Sequence, residues 1–130
     1  MLTGTCHCGA LSWKYTADLQ SVTACNCSIC RRYGALWLYG WEPEMVTTAG
    51  PSAAYARGAE IDFHFCPTCG CLVFYRCRQA DPQGRRKIGA NLRMADSPAA
   101  VAHLSIDHFD GLDSFEDLPT DHRRVADMWF

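Results

Sequence analysis

The sequence predicts a mainly β fold of short antiparallel strands with little helix, stabilised by zinc. Three observations point there. Apolar and polar side chains alternate along several short segments. Turn residues break the chain between them. Nine cysteines, most of them in close-set groups, occur in only 130 residues.

The elements follow in chain order. Leu11, Trp13 and Tyr15 alternate with Ser12, Lys14 and Thr16, the period-two pattern of a half-buried strand. Ala35 to Trp41 is a short aromatic and aliphatic run suited to a central strand. Ile61, Phe63 and Phe65 alternate with Asp62 and His64, and Leu72 to Tyr75 is apolar throughout. Lys87 to Ala90 and Val101 to Ile106 are weaker strand candidates. Gly50-Pro51-Ser52 and Gly58 mark loops, and Asp81-Pro82-Gln83-Gly84 reads as the turn that joins the strand through Tyr75 to the one near Ile88. Helix is confined to a turn over Ser28 to Tyr33 that stops at Gly34, and a turn opened by Ser97 as cap and Pro98 as first residue. Thr120 to Trp129 reads as a terminal helix or an extended arm, and the acidic stretch from Gly111 is expected to wrap the body. No composition shift marks a boundary, so residues 1–130 are read as a single zinc-binding domain.

Composition excludes several classes. A net charge of -2 and only scattered basic pairs argue against a nucleic-acid or anionic-membrane partner. No apolar run approaches the ~20 residues that span a bilayer. The sequence opens with no basic, apolar leader pattern, and the expected location is the cytoplasm. An odd number of cysteines, clustered too tightly for near neighbours to bridge without strain, favours metal thiolates over disulfides.

The cysteines form three groups: Cys6 and Cys8; Cys25, Cys27 and Cys30; Cys66 and Cys69. The run Cys66-Pro67-Thr68-Cys69-Gly70 has the form of a zinc knuckle, with a glycine placed to make the left-handed turn. A structural zinc wants four ligands. Cys6 and Cys8, also followed by a glycine, supply the missing pair and tie the N-terminal strand to the hairpin that begins near Ile61. That leaves Cys25, Cys27 and Cys30 as a second site with an open tetrahedral position, the mark of catalytic zinc. A fourth ligand from Cys71 or His64 would instead close it. Four thiolates also suit a single iron, so zinc is an inference from ligand type. Cys71 and Cys77 fall at alternate positions of one strand, on the face of Val73 and Tyr75, and read as buried thiols. His7 lies between two ligands and is expected to point away. No hydrolase triad, nucleotide-binding loop or calcium loop is present.

Taken together, Gly4-Thr5-Cys6-His7-Cys8-Gly9-Ala10, Cys25-Asn26-Cys27-Ser28-Ile29-Cys30-Arg31 and His64-Phe65-Cys66-Pro67-Thr68-Cys69-Gly70, in this order, resemble the glutathione-dependent formaldehyde-activating enzyme family, with its centromere protein V relatives. Ile88-Gly89-Ala90-Asn91-Leu92 and His108-Phe109-Asp110-Gly111 are similar to that family's downstream pattern. The resemblance implies a zinc-bound β-tent fold and the same division of ligands, with Cys6, Cys8, Cys66 and Cys69 around a structural zinc and Cys25, Cys27 and Cys30 around a catalytic one. It also implies a carbon–sulfur lyase that condenses formaldehyde with glutathione to S-(hydroxymethyl)glutathione.

Two functions are therefore expected to compete. In the first, a small thiol such as glutathione occupies the open position on the second zinc. Arg31 and Arg32 then meet its carboxylates, and Trp37, Tyr39 and Trp41 either wall the cleft or fill the core. In the second, both metals are structural and the chain is a non-catalytic module for a protein partner. A closed second site would favour the module, and a cavity beside Cys27 would favour the enzyme.

Overall fold

The computed structural model describes residues 1–128, and the fold is mainly β. The strands are β1 (Leu2–Thr5), β2 (Ser12–Tyr15), β3 (Ser21–Cys25), β4 (Trp37–Glu42), β5 (Val46–Ala49), β6 (Ala53–Arg57), β7 (Ile61–Phe65), β8 (Leu72–Cys77), β9 (Arg86–Asn91) and β10 (Ser105–Phe109). They form a three-stranded sheet ordered β1-β2-β5 and a seven-stranded sheet ordered β10-β3-β4-β9-β8-β7-β6. Every named pairing is antiparallel except that of β10 with β3. Helix is limited to α1 (Cys30–Tyr33), α2 (Pro98–Val101) and two 3₁₀ turns. Among the described residues, no helix is long and apolar enough to cross a membrane.

The alternation read in the sequence becomes burial. On β2, Trp13 and Tyr15 are buried while Lys14 is exposed. Their rings join Leu38, Val46, Val73, Phe74, Ile88 and Ala90 in the core between the two sheets. The opposite face of the large sheet carries a smaller aromatic cluster built from Trp37, Phe63, Leu72 and Tyr75, with Cys27 and Cys30 packed into it. β4 thus divides its side chains, Leu38 facing one cluster and Trp37 the other.

Several expectations are corrected. The apolar stretch 101–106 is not one strand: Val101 closes α2 and the strand begins at Ser105. Ser97 sits at the cap position before Pro98, but its hydroxyl makes no cap bond. Cys71 and Cys77 do not share a face, because the β7–β8 register shifts between His64 and Phe65 and leaves Val73 as an extra residue. One extra residue reverses the side-chain parity of everything before it. Cys71 therefore packs toward the inter-sheet core and Cys77 toward the aromatic cluster. The turn at Asp81–Gly84 and the helical stop at Gly34, whose φ is 63°, form as read. The tail from Gly111 does wrap the body: Leu118 N–H bonds His108 carbonyl at 2.9 Å, and Arg124 bridges to Ser105. Over 120–128 the chain forms a single 3₁₀ turn, Val125–Met128, and Trp129 lies outside the described residues.

Candidate metal centres and the cavity beside them

Two sulfur clusters stand out. The Sγ atoms of Cys6, Cys8, Cys66 and Cys69 lie within 4.8 Å of one another, and so do those of Cys25, Cys27 and Cys30. Every predicted ligand falls in its predicted group, and all nine cysteines are free thiols.

The first cluster is made by two similar turns. Cys6 N–H bonds Leu11 carbonyl and Cys66 N–H bonds Cys71 carbonyl, each at 2.9 Å. Gly9 N–H returns to Cys6 carbonyl and Gly70 N–H to Cys66 carbonyl. Both glycines have left-handed backbones, with φ of 87° and 78°, where a side chain would be strained. One turn follows β1 in the small sheet and the other joins β7 to β8 in the large sheet, so the four sulfurs span the gap between the sheets. Sγ of Cys8 lies 3.5 Å from that of Cys66 and 3.7 Å from that of Cys6. Four sulfurs placed tetrahedrally at ~2.3 Å from a zinc ion would be about 3.8 Å apart. The spacing and the all-thiol donor set fit such an ion. Backbone N–H groups of Cys71 and Cys8 bring the Cys69 thiol down to about 5, ready to serve as a thiolate. His7 is exposed and takes no part in the cluster.

The second cluster comes from the end of β3, the following turn and the start of α1. Cys27 Sγ accepts from Cys30 N–H at 3.4 Å and from Arg57 Nη1 at 3.5 Å. Trp37 Nε1 donates to Cys30 Sγ at 3.4 Å. Burial works against the Cys27 thiolate, yet the N–H and thiol of Cys30 and the N–H of Ile29 outweigh it and bring the group to about 7. Burial and the neighbouring Cys27 push Cys30 up to about 12, so an unassisted cluster holds protons that a cation would displace. Among the described residues, no fourth Cys, His, Asp or Glu joins these three sulfurs. His64, a candidate to close the site, stacks on Phe74 and pairs through Nδ1 with the Ser52 hydroxyl at 2.9 Å. It does not join the second cluster and remains partly exposed to solvent. Cys71 lies beside the first cluster instead, near Cys69 and Cys6.

The tail completes the second site. Asp110 accepts from Asn26 Nδ2 at 3.0 Å and from the Ser114 hydroxyl at 2.9 Å, while Leu112 N–H bonds Asn26 Oδ1 at 3.0 Å. Those contacts, led by the Ser114 N–H, hold the Asp110 carboxyl at about 2. They press Gly111 onto the sulfurs: a methyl group there would lie 2.6 Å from Cys25 Sγ and 2.9 Å from Cys27 Cβ. A side chain does not fit.

A cavity of about 180 Å³ opens at Cys25, Cys27 and Cys30, walled by Trp37, Tyr39 and Tyr75. Of the three aromatics expected at the cleft, Trp37 and Tyr39 line it, while Trp41 turns away and stacks under Arg85. Arg57 belongs to this cavity and also to a larger groove of about 530 Å³ lined by Ser28, Arg32, Tyr33 and Tyr55. Of the two arginines expected to meet substrate carboxylates, Arg32 lines this groove with Arg57, whereas Arg31 lines a separate cavity with Cys25, Cys30 and Arg93. Arg57 was not legible in the sequence. It lies far along the chain from the cysteines, and only the β6–β7 pairing brings it to them.

The sequence profile of glutathione-dependent formaldehyde-activating enzymes matches residues 1–104. The chain belongs to that family. A Rhodobacter sphaeroides protein, solved by crystallography as a structural-genomics target, has a similar fold, with a TM-score of 0.60 at 24% identity over 80% of this chain and 98% of that one. No curated protein matches the chain. The family match ends at residue 104, so Asn26 lies within the matched residues and Asp110 and Gly111 beyond them.

Proposed function

We propose that this member of the glutathione-dependent formaldehyde-activating family is a zinc enzyme of the carbon–sulfur lyase type, interconverting a thiol plus formaldehyde with their S-hydroxymethyl adduct, and that it works in the reducing cytoplasm. One observation carries the reading. Three cysteine sulfurs converge on the wall of a cavity with no fourth Cys, His, Asp or Glu beside them among the described residues, while four others cluster between the sheets.

Cys6, Cys8, Cys66 and Cys69 would hold one zinc and fix the two sheets. Cys25, Cys27 and Cys30 would hold a second. A zinc ion there lowers the pKa of a thiol and fixes its sulfur at neutral pH. The chain's own groups do the rest. Among the described residues, Arg76, Arg78, Arg85 and Arg123 pair with carboxylates, but Arg32 and Arg57 face the groove with none. Glutathione brings two carboxylates, and the groove has the volume of a small-ligand site. Arg57, in contact with Cys27 and with the groove, orients the thiol toward the three cysteines. Trp37, Tyr39 and Tyr75 keep water from the reacting carbon. In the addition, a C–S bond forms, the carbonyl electron pair goes to oxygen, and the proton leaving sulfur ends on that oxygen.

The non-catalytic module is the weaker reading, because the open fourth corner and the cavity have no use in it. Exchange NMR on glutathione and formaldehyde tests the enzyme reading. Wild type should speed adduct exchange above the buffer rate, and Cys27→Ser should not. Equal rates for both at the buffer value sink it. Elemental analysis should find two zinc equivalents in wild type.

A further inference from the structure

The cavity at the second cluster is larger than its smallest substrate needs, and it continues. Formaldehyde has two heavy atoms and occupies about 60 Å³, twice the share of one water. The space at the sulfurs is about 180 Å³ and runs on into another of about 350 Å³. Tyr39, Ile61, Tyr75, Phe109 and Phe115 line both. The second space adds the polar side chains Thr23, Lys87 and Asp117 to those shared residues, and the first adds Arg57. Of the two arginines proposed for substrate carboxylates, Arg57 stands between the first space and the neighbouring groove, and Arg32 lines the groove alone.

Phe115 makes this space look built. It is 74% exposed, an unusual position for a phenylalanine. Its backbone is left-handed, with φ of 57°, a conformation that costs a bulky residue about 1 kcal/mol. The bond from Phe115 N–H to Asp110 carbonyl at 2.8 Å holds it there, and its ring meets Phe109 edge-on at 4.9 Å. The same Asp110 turn that presses Gly111 onto the sulfurs therefore hangs an aromatic ring at the cavity mouth.

Resting on the function proposed above, we infer that the carbonyl partner is an aldehyde carrying an apolar substituent of about aryl size, seated between Phe109, Phe115, Tyr39 and Ile61. The addition keeps its balance: the thiol adds across the C=O bond, sulfur bonds to carbon, the π pair moves to oxygen and takes the thiol proton, and nothing is oxidised or reduced. The product is a hemithioacetal bearing the apolar group. Offset and edge-on aromatic contacts favour such a group, and a formaldehyde hydrogen gains nothing from them.

The test compares phenylacetaldehyde with formaldehyde, each with glutathione and zinc-loaded protein, by exchange NMR. Acceleration of the phenylacetaldehyde adduct is expected. Phe115→Ala, in an exposed loop, should lower the phenylacetaldehyde-to-formaldehyde ratio of kcat/KM about fivefold, and Ile61→Trp, which fills the space, should lower it further. Binding of 2-phenylethanol, which cannot react, supplies a readout apart from turnover: wild type should show saturable shifts that weaken about fivefold in Phe115→Ala. Acceleration with formaldehyde alone, together with no 2-phenylethanol binding, overturns the inference and leaves the proposed function standing. Acceleration with neither aldehyde overturns the function, and the inference with it.

Discussion

The indole Nε1 of Trp37 donates to Sγ of Cys30 at 3.4 Å, with both residues buried. The bond ties Cys30 to the central strand β4, and both residues line the cavity at the second cluster. A donor on a thiolate steadies its charge and its direction. Trp37→Phe keeps an aromatic ring beside Tyr75 and Phe63 but removes the donor. Affinity for the second zinc should fall by at least tenfold, the usual cost of losing a group that orients a ligand. Competition with a colorimetric chelator measures it, and the more tightly held first zinc should be unaffected.

Gly111→Ala places a methyl group against Cys25 Sγ and Cys27 Cβ. Neither atom can move without opening the three-sulfur arrangement. Metal content should fall from two equivalents toward one while the fold, held by the first cluster, persists by circular dichroism.

Asn91 is buried at 2% exposure and makes three side-chain hydrogen bonds. It donates to Leu72 carbonyl at 2.9 Å and accepts from Leu36 and Arg93 N–H. Leucine in its place leaves those backbone groups without partners. The expected loss is about 3 kcal/mol, seen as a lower midpoint in urea unfolding.

Asp110 has its pKa depressed to about 2 by the N–H of Ser114 and the side chains of Asn26 and Ser114. A carboxylate that is more acidic folded than unfolded stabilises the protein above its unfolded pKa, near 3.8, and that contribution disappears as pH falls toward 2. The melting temperatures of wild type and Asp110→Asn should differ at pH 6 and converge between about pH 4 and pH 2. A gap that stays constant down to pH 2 would mean that Asp110 does not hold the tail by its charge.

Arg57→Lys retains the positive charge but loses the planar fork that can reach a carboxylate and Cys27 together. KM for glutathione should rise about tenfold, with a smaller fall in kcat. Arg31→Lys, outside the groove that Arg57 and Arg32 line, should change KM far less. Steady-state exchange rates over a glutathione series separate these outcomes.

The grouping of the sulfurs was legible because it depends on counting: a knuckle brings two thiols, a group of four needs two more, and three remain. The strands with strong alternation, β2 and β7, were equally plain. Strands β3, β5 and β6 were not, because Ser-Val-Thr-Ala-Cys, Val-Thr-Thr-Ala and Ala-Ala-Tyr-Ala-Arg each carry little large apolar surface and become strands through their neighbours. The opposite facing of Cys71 and Cys77 depends on a bulge whose extra residue, Val73, looks like any strand residue in the sequence. Arg57 and Phe115 reach the site through tertiary pairing, which has no local signature.

The parallel pairing of β10 with β3 sets an order of maturation. Cys25, Cys27 and Cys30 are made early, yet the strand that flanks Cys25 and the turn that covers it come from residues 105–115. Cys6, Cys8, Cys66 and Cys69 are all present once residue 69 has left the ribosome. The four sulfurs of the first cluster thus precede, along the chain, the strand and turn that enclose the second.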